Sequence, residues 1–245
     1  MYLLWKKTGK LSTHSLVIFF LLFSIGSVAQ RPLFQEEHDF KPYYFGISLS
    51  ASKARFQTEL HSEFLYQEPD SIMIAEPVNS AGFALGLTAT VRLTNRFEAR
   101  FNPQLMFADR SIYYKLRYAD RDLGTDVTQR IESVIVSFPL QVKFNSDRIG
   151  NFRVYMLGGG KLDYDLASNA RARRAEELVK IHKMDYGVEA GLGFNFYFPS
   201  FIFSPEIKIS NGLGNLHSRD QNLKYSNVLD RIQSRMIVFT IHLEG

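Results

Sequence analysis

From Tyr43 onward the chain alternates apolar and polar residues with a period of two, which is the pattern of strands lying between two environments. In 43–52, Tyr43, Phe45, Ile47, Leu49 and Ala51 lie opposite Tyr44, Gly46, Ser48, Ser50 and Ser52. The same rhythm runs through 81–93 (Phe83, Leu85, Leu87, Val91) and 97–107 (Phe97, Phe101, Leu105, Phe107). It continues in 133–144 (Val136, Phe138, Leu140, Val142), 152–166 (Phe152, Val154, Met156, Leu162) and 184–198 (Leu192, Phe194, Phe196, Phe198). Segments 201–210 (Phe203, Ile207, Ile209) and 235–243 (Ile237, Phe239, Ile241, Leu243) complete a set of eight strands, the last of them the least regular.

The connections decide between architectures. Residues 94–96, 145–151 and 199–200 are short links, whereas 53–80, 108–130, 167–183 and 211–234 are long. Short turns at one end and long loops at the other are the arrangement of outer-membrane barrels, and several segments exceed the 9–11 residues that a tilted strand needs to cross a bilayer. Alternation alone would equally suit a soluble barrel or sandwich. Here the polar face carries Gly86, Gly191 and Gly193 among opposite charges, and the apolar face carries bulky Phe and Leu. Small residues and paired charges suit a narrow lumen, and bulky apolar side chains suit lipid. The sequence therefore predicts an all-β fold, an eight-stranded antiparallel transmembrane β-barrel with short periplasmic turns and long extracellular loops.

The start of the chain fits export. Lys6, Lys7 and Lys10 precede an apolar run from Ser15 to Gly26, and Ser27-Val28-Ala29 places small residues where a signal peptidase reads them. The run is too short for a spanning helix, which takes about 20 residues. The expected organisation is a signal peptide over 1–29, a short periplasmic segment over 30–42 and the barrel over 43–245, located in the outer membrane.

Composition then removes alternatives. There is no Cys, so neither a disulfide framework nor a thiolate metal or redox site is available. The formal charge of +4 owes three of its units to the leader lysines, leaving 26 basic against 25 acidic residues. A near-neutral mature chain gives no support for a nucleic-acid partner. Twenty-one Phe and twelve Tyr against one Trp suit strands and membrane interfaces.

Ten charged residues are expected to converge in the lumen: Glu98, Arg100, Lys143, Arg153, Asp163, Asp165, Glu189, Glu206, Lys208 and Arg235. An ion path or proton-linked gate could use them, but charges deprived of water more simply satisfy one another, and a structural network is the expectation. Gly158-Gly159-Gly160-Lys161 lacks the phosphate-loop spacing, since Tyr155 and Leu162 stand where Gly and Ser or Thr are needed. Glycines within a strand instead permit a bend, a bulge or close packing. Arg171, Arg173 and Arg174 in the third long loop are candidates for contact with lipopolysaccharide phosphates, because guanidinium binds phosphate well. His217, Ser218 and Asp220 are neighbours in sequence, but a catalytic triad is a matter of geometry and none of the familiar motif spacings is present. No His pair has metal-ligand spacing. No enzyme activity, cofactor or metal is expected.

Three stretches resemble the PorT family of small outer-membrane barrels of the type IX secretion system. They are IESVIVSFPLQVKF (131–144), RIGNFRVYMLGGGKLDYDLAS (148–168) and FSPEIKISNGLGNL (203–216). The family-like positions are Phe138-Pro139-Leu140, Asn151, Arg153, Tyr155, Gly158-Gly159, Asp165-Leu166-Ala167 and Ser204-Pro205-Glu206. Val154 departs from the Arg-Pro pairing of the family, and Leu243-Glu244-Gly245 lacks a terminal aromatic. The resemblance implies a role in protein export, often alongside gliding motility, with other secretion-system proteins and outer-membrane lipids and lipopolysaccharide as partners. It brings no catalytic residues. A structural or adhesin barrel, and a rim-located lipid-modifying enzyme, are the alternative readings.

Overall fold

The computed structural model describes residues 41–62, 72–120, 124–168, 179–219 and 223–245. The expected signal peptide, and all but the last two residues of the short segment before the barrel, lie outside them. Twelve strands form two sheets among the described residues. The larger contains β1 (Tyr43–Leu60), β3 (Ser80–Arg92), β4 (Phe97–Phe101), β5 (Gln104–Ala108), β8 (Val134–Asn145), β9 (Phe152–Asp165), β10 (Met184–Tyr197), β11 (Ile202–Gly212) and β12 (Leu229–Glu244). Each neighbouring pair is antiparallel. β1 meets β12 on one side and β3 on the other, so the sheet closes on itself.

Nine strand labels describe eight staves, because β4 and β5 are one stave interrupted at Asn102-Pro103. Pro103 has no N–H to give to the ladder, which breaks the assigned pairing. Its carbonyl still accepts from the Leu87 amide, and the register against β3 and β8 is the same on both sides of the break. The protein is an eight-stranded transmembrane β-barrel.

The staves obey the pleat. On β1 the side chains of Tyr44, Ser48, Ser50 and Ser52 are buried, while those of Tyr43, Phe45, Ile47 and Leu49 are more than half exposed. On β10, Asp185, Glu189 and Asn195 are buried between exposed Tyr186, Leu192 and Phe194. Polar residues inside and apolar residues outside reverse the soluble arrangement, as lipid requires.

Toward the long-loop end this polarity inverts. Above Ser52, β1 turns Lys53, Arg55 and Gln57 outward and buries Ala54 and Phe56. The strand thus runs to Leu60, well beyond the expected end at Ser52, because Lys53 and its successors keep alternating with the opposite polarity. A second sheet covers this end: β2 (Ile72–Val78), β6 (Arg110–Asp120) and β7 (Gly124–Ile131), in the order β2-β6-β7. Stretches expected as loops are therefore strands. In β6, Ile112, Tyr114 and Leu116 point inward and Tyr113, Lys115 and Arg117 do not. With Phe56, Ile181, Leu229, Ile232 and Val127 they build an apolar core of the soluble kind above the lumen. A one-turn helix, α1 (Lys224–Asn227), packs Tyr225 into the same core, and Val228 just after it joins them.

Candidate functional site

The lumen is occupied by buried charges. Arg100 on β4 is the hub, with Nη1 2.9 Å from Glu206 Oε2 on β11 and Nη2 3.0 Å from Glu244 Oε1 on β12. Tyr155 donates to the same Glu206 oxygen at 2.8 Å, and Arg100 lies over the Tyr155 ring at 5.5 Å. His242 Nε2 stands 3.5 Å from Glu206 Oε2. All of these side chains are buried. Charges held this way are paired with one another, which is the condition for tolerating them in a narrow interior.

A second set shares the β4 side. Lys143 Nζ is 3.3 Å from Glu98 Oε2, which also accepts from the Tyr44 hydroxyl at 2.8 Å. Lys143 in turn lies 4.3 Å from the Tyr155 ring centre, linking the two sets by a cation–π contact. A third set joins Lys208 to Glu189 at 3.1 Å, with Gln141 donating to the same carboxylate at 2.7 Å. Nearer the cap, Lys161 and Ser137 both hold Asp163 at 2.5 Å, and Arg110 Nη2 is 3.6 Å from Asp165.

Space for these groups is made locally by glycine. A Cβ on Gly193 would stand 2.3 Å from the Tyr155 ring, so the absent side chain leaves room for the ring. Within the Gly158-Gly159-Gly160 run only the middle residue is forced. A Cβ on Gly159 would meet the Leu140 carbonyl oxygen at 2.1 Å, whereas Gly158 and Gly160 have ordinary clearance. The run serves close strand approach and builds no phosphate cradle.

Of the ten charged residues expected inside, eight are buried in the lumen: Glu98, Arg100, Lys143, Asp163, Asp165, Glu189, Glu206 and Lys208. Arg153 faces inward but sits half-buried at the short-turn rim, beside Arg92, Arg96, Asp147 and Arg148 around a cavity of about 490 Å³. Arg235 is a correction. It is exposed on the outer face opposite Arg55, because it shares its strand parity with Ile237 and Phe239, while Ser234, Met236 and Val238 turn inward. Arg171, Arg173 and Arg174 lie outside the described residues. Sequence reasoning missed Tyr44, Tyr155 and Glu244 as network members, although each alternates onto the polar face.

His217 does not meet Ser218 in a catalytic arrangement, and Asp220 lies outside the described residues. The His217 ring instead pairs Nε2 with Ser226 Oγ on α1 at 2.9 Å, and Ser226 is buried. The contact fastens α1 to the start of the preceding connection. Burial pushes the His217 pKa down from its ordinary value.

Residues 41–218 match the family described as "Outer membrane protein beta-barrel domain". The chain belongs to that family. Solved structures similar to this outer-membrane barrel include the outer membrane protein OprG from Pseudomonas aeruginosa, at 13% identity and a TM-score of 0.49, covering 82% of this chain and 92% of that one. Neisserial surface protein A is 12% identical with a TM-score of 0.39, over 81% of this chain and 96% of its own. The attachment invasion locus protein Ail of Yersinia pestis is 10% identical with a TM-score of 0.37, over 84% of this chain and 100% of its own. Among curated proteins no sequence matches.

For an outer-membrane barrel of eight strands the interior is only wide enough for side chains to fill. Arg100 bridges from β4 to β11 and β12 and fixes that filling by two ion pairs at once. The apolar cap core lies above it.

Proposed function

We propose that this outer-membrane barrel is a non-enzymatic component of the type IX protein secretion system that acts by contact with a larger translocon and is not the conduit. The observation that carries the reading is the Arg100 bridge: a lumen spanned by paired, buried side chains admits no polypeptide. What remains available for function is the outer surface, the capped loop end and the turn rim. The secretion assignment itself draws on the likeness of 131–144, 148–168 and 203–216 to the PorT family. Those segments form β8, β9 and β11 with their adjoining turns. The lipopolysaccharide contact proposed for Arg171, Arg173 and Arg174 would anchor the third long connection at the cell surface.

An adhesin-type barrel is the second reading, favoured by the folded sheet β2-β6-β7, which turns Tyr113, Lys115 and Arg117 away from the cap core at the extracellular end. A deletion strain separates the two. Loss of secreted cargo from the medium, restored by the full chain, supports the secretion role. An intact secretome with lost surface binding assigns the adhesin role, and altered lipid A or phospholipid would point to a lipid-modifying enzyme instead.

A further inference from the structure

The outer face of the barrel changes character abruptly where β11, β12 and β1 leave the apolar belt. The register places outward residues in rows across these strands. One row reads Ile207, Phe239 and Ala51; the next reads Ile209, Ile237 and Lys53; the third reads Asn211, Arg235 and Arg55. Arg55 and Arg235 are direct cross-strand partners, and both are exposed on the same face. Two like charges directly opposite each other on neighbouring strands are destabilising unless something between them is negative. Among the described residues no carboxylate forms an ion pair with Lys53, Arg55 or Arg235. The row above is Gln57 and Gln233, and the next acid along β1, Glu59, stands four residues beyond Arg55. At about 3.3 Å per residue that is roughly 13 Å from Arg55.

Below the arginines lie the exposed side chains of Ile209, Ile237 and Phe239, which face lipid. Beside the arginines, between strand β2 and the part of β1 beyond its pairing with β3, is an open cleft of about 490 Å³ bordered by Arg55, Arg235, Thr58, Leu60 and Pro77. The short turns occupy the opposite end of the barrel, so this level is the outer leaflet's headgroup zone. We propose that Arg55 and Arg235, with Lys53 one row lower, form a binding site for the phosphate of an outer-leaflet phosphorylated glycolipid. Its acyl chains would lie along Ile209, Ile237 and Phe239. Guanidinium groups match phosphate oxygens with paired N–H donors, and an anion between them removes the repulsion that the register imposes. The site is independent of the secretion reading and of the third long connection.

The test is lipid binding by the full protein refolded in detergent, followed by native mass spectrometry with purified bisphosphorylated lipid A. The wild-type protein is expected to retain the lipid, and R55Q/R235Q to bind it roughly 10- to 30-fold more weakly, as two lost surface charges would give. Dephosphorylated lipid A should be held by the wild type no better than intact lipid A is held by the variant. K115Q/R117Q, which removes two exposed charges on β6, should bind as the wild type does. Heat-modifiable migration verifies folding, and the single changes R55Q and R235Q carry the same test if the double variant does not fold. Equal binding by R55Q/R235Q, equal loss in K115Q/R117Q, or full displacement by millimolar inorganic phosphate would each overturn the proposal.

Discussion

Arg100 and Glu206 are 106 residues apart in sequence and 2.9 Å apart across the lumen, both fully buried. The pair fixes β4 against β11, staves that are not neighbours in the sheet. Removing Arg100 takes the cation from two fully buried carboxylates, Glu206 and Glu244. Arg100→Met is therefore expected to destabilise the folded barrel by about 3–5 kcal/mol, whereas adding Glu206→Gln and Glu244→Gln should recover most of that loss. Urea titration of the folded, heat-modifiable species in vesicles measures both. Equal instability of the single and triple variants would show that the ion pairs are not the cause.

The glycine run gives a contrast between adjacent residues. Gly159→Ala drives a Cβ into the Leu140 carbonyl and should cost about 1–3 kcal/mol as an overpacked site. Gly158→Ala has ordinary clearance and should be neutral or slightly stabilising, since alanine has less freedom to lose on folding. Unfolding midpoints of the two variants, compared under one set of conditions, check the order.

Leu192 is more than half exposed on the outer face of β10. Leu192→Arg is expected to lower the folded yield in vesicles, with a cost of about 2–4 kcal/mol near the membrane midplane, and Leu192→Phe to leave it unchanged. Tolerance of the arginine would place this face away from lipid.

His217 makes the cap sensitive to acid. Its pKa is lowered by burial, so the folded state favours the neutral ring. The stabilisation is fully present above the ordinary His pKa of about 6.5 and declines as pH falls from there toward the lowered value. Protease cleavage of the 213–228 connection should accelerate as pH drops through this window, and His217→Gln should flatten the dependence. Cleavage that is independent of pH in the wild type would remove His217 as the cause.

The barrel was legible in the sequence because lipid imposes one rule on every stave: apolar out, polar in, period two. Eight segments, three short links and four long ones follow from that rule alone. The cap was not legible, because IYYKLR in β6 and the stretch beyond Ser52 in β1 follow the opposite rule, with the apolar face turned inward. A search for membrane polarity passes over such strands and leaves them as loops. Arg235 was misplaced for a related reason. A charged residue near a lumen pattern looks internal, but parity with Ile237 and Phe239 turns it outward. The network's membership depended on contacts across the lumen, and Tyr155 and Glu244 become partners of Arg100 and Glu206 only when β4, β9, β11 and β12 close around one axis.

Single-molecule conductance of the purified protein in planar bilayers tests the central claim most directly. A lumen bridged by Arg100 and roofed by the cap core should insert without any stable, large conductance step across the physiological voltage range. A persistent wide pore formed by the wild-type protein alone would contradict the closed barrel, and with it the reading that this chain works by contact and not by conduction.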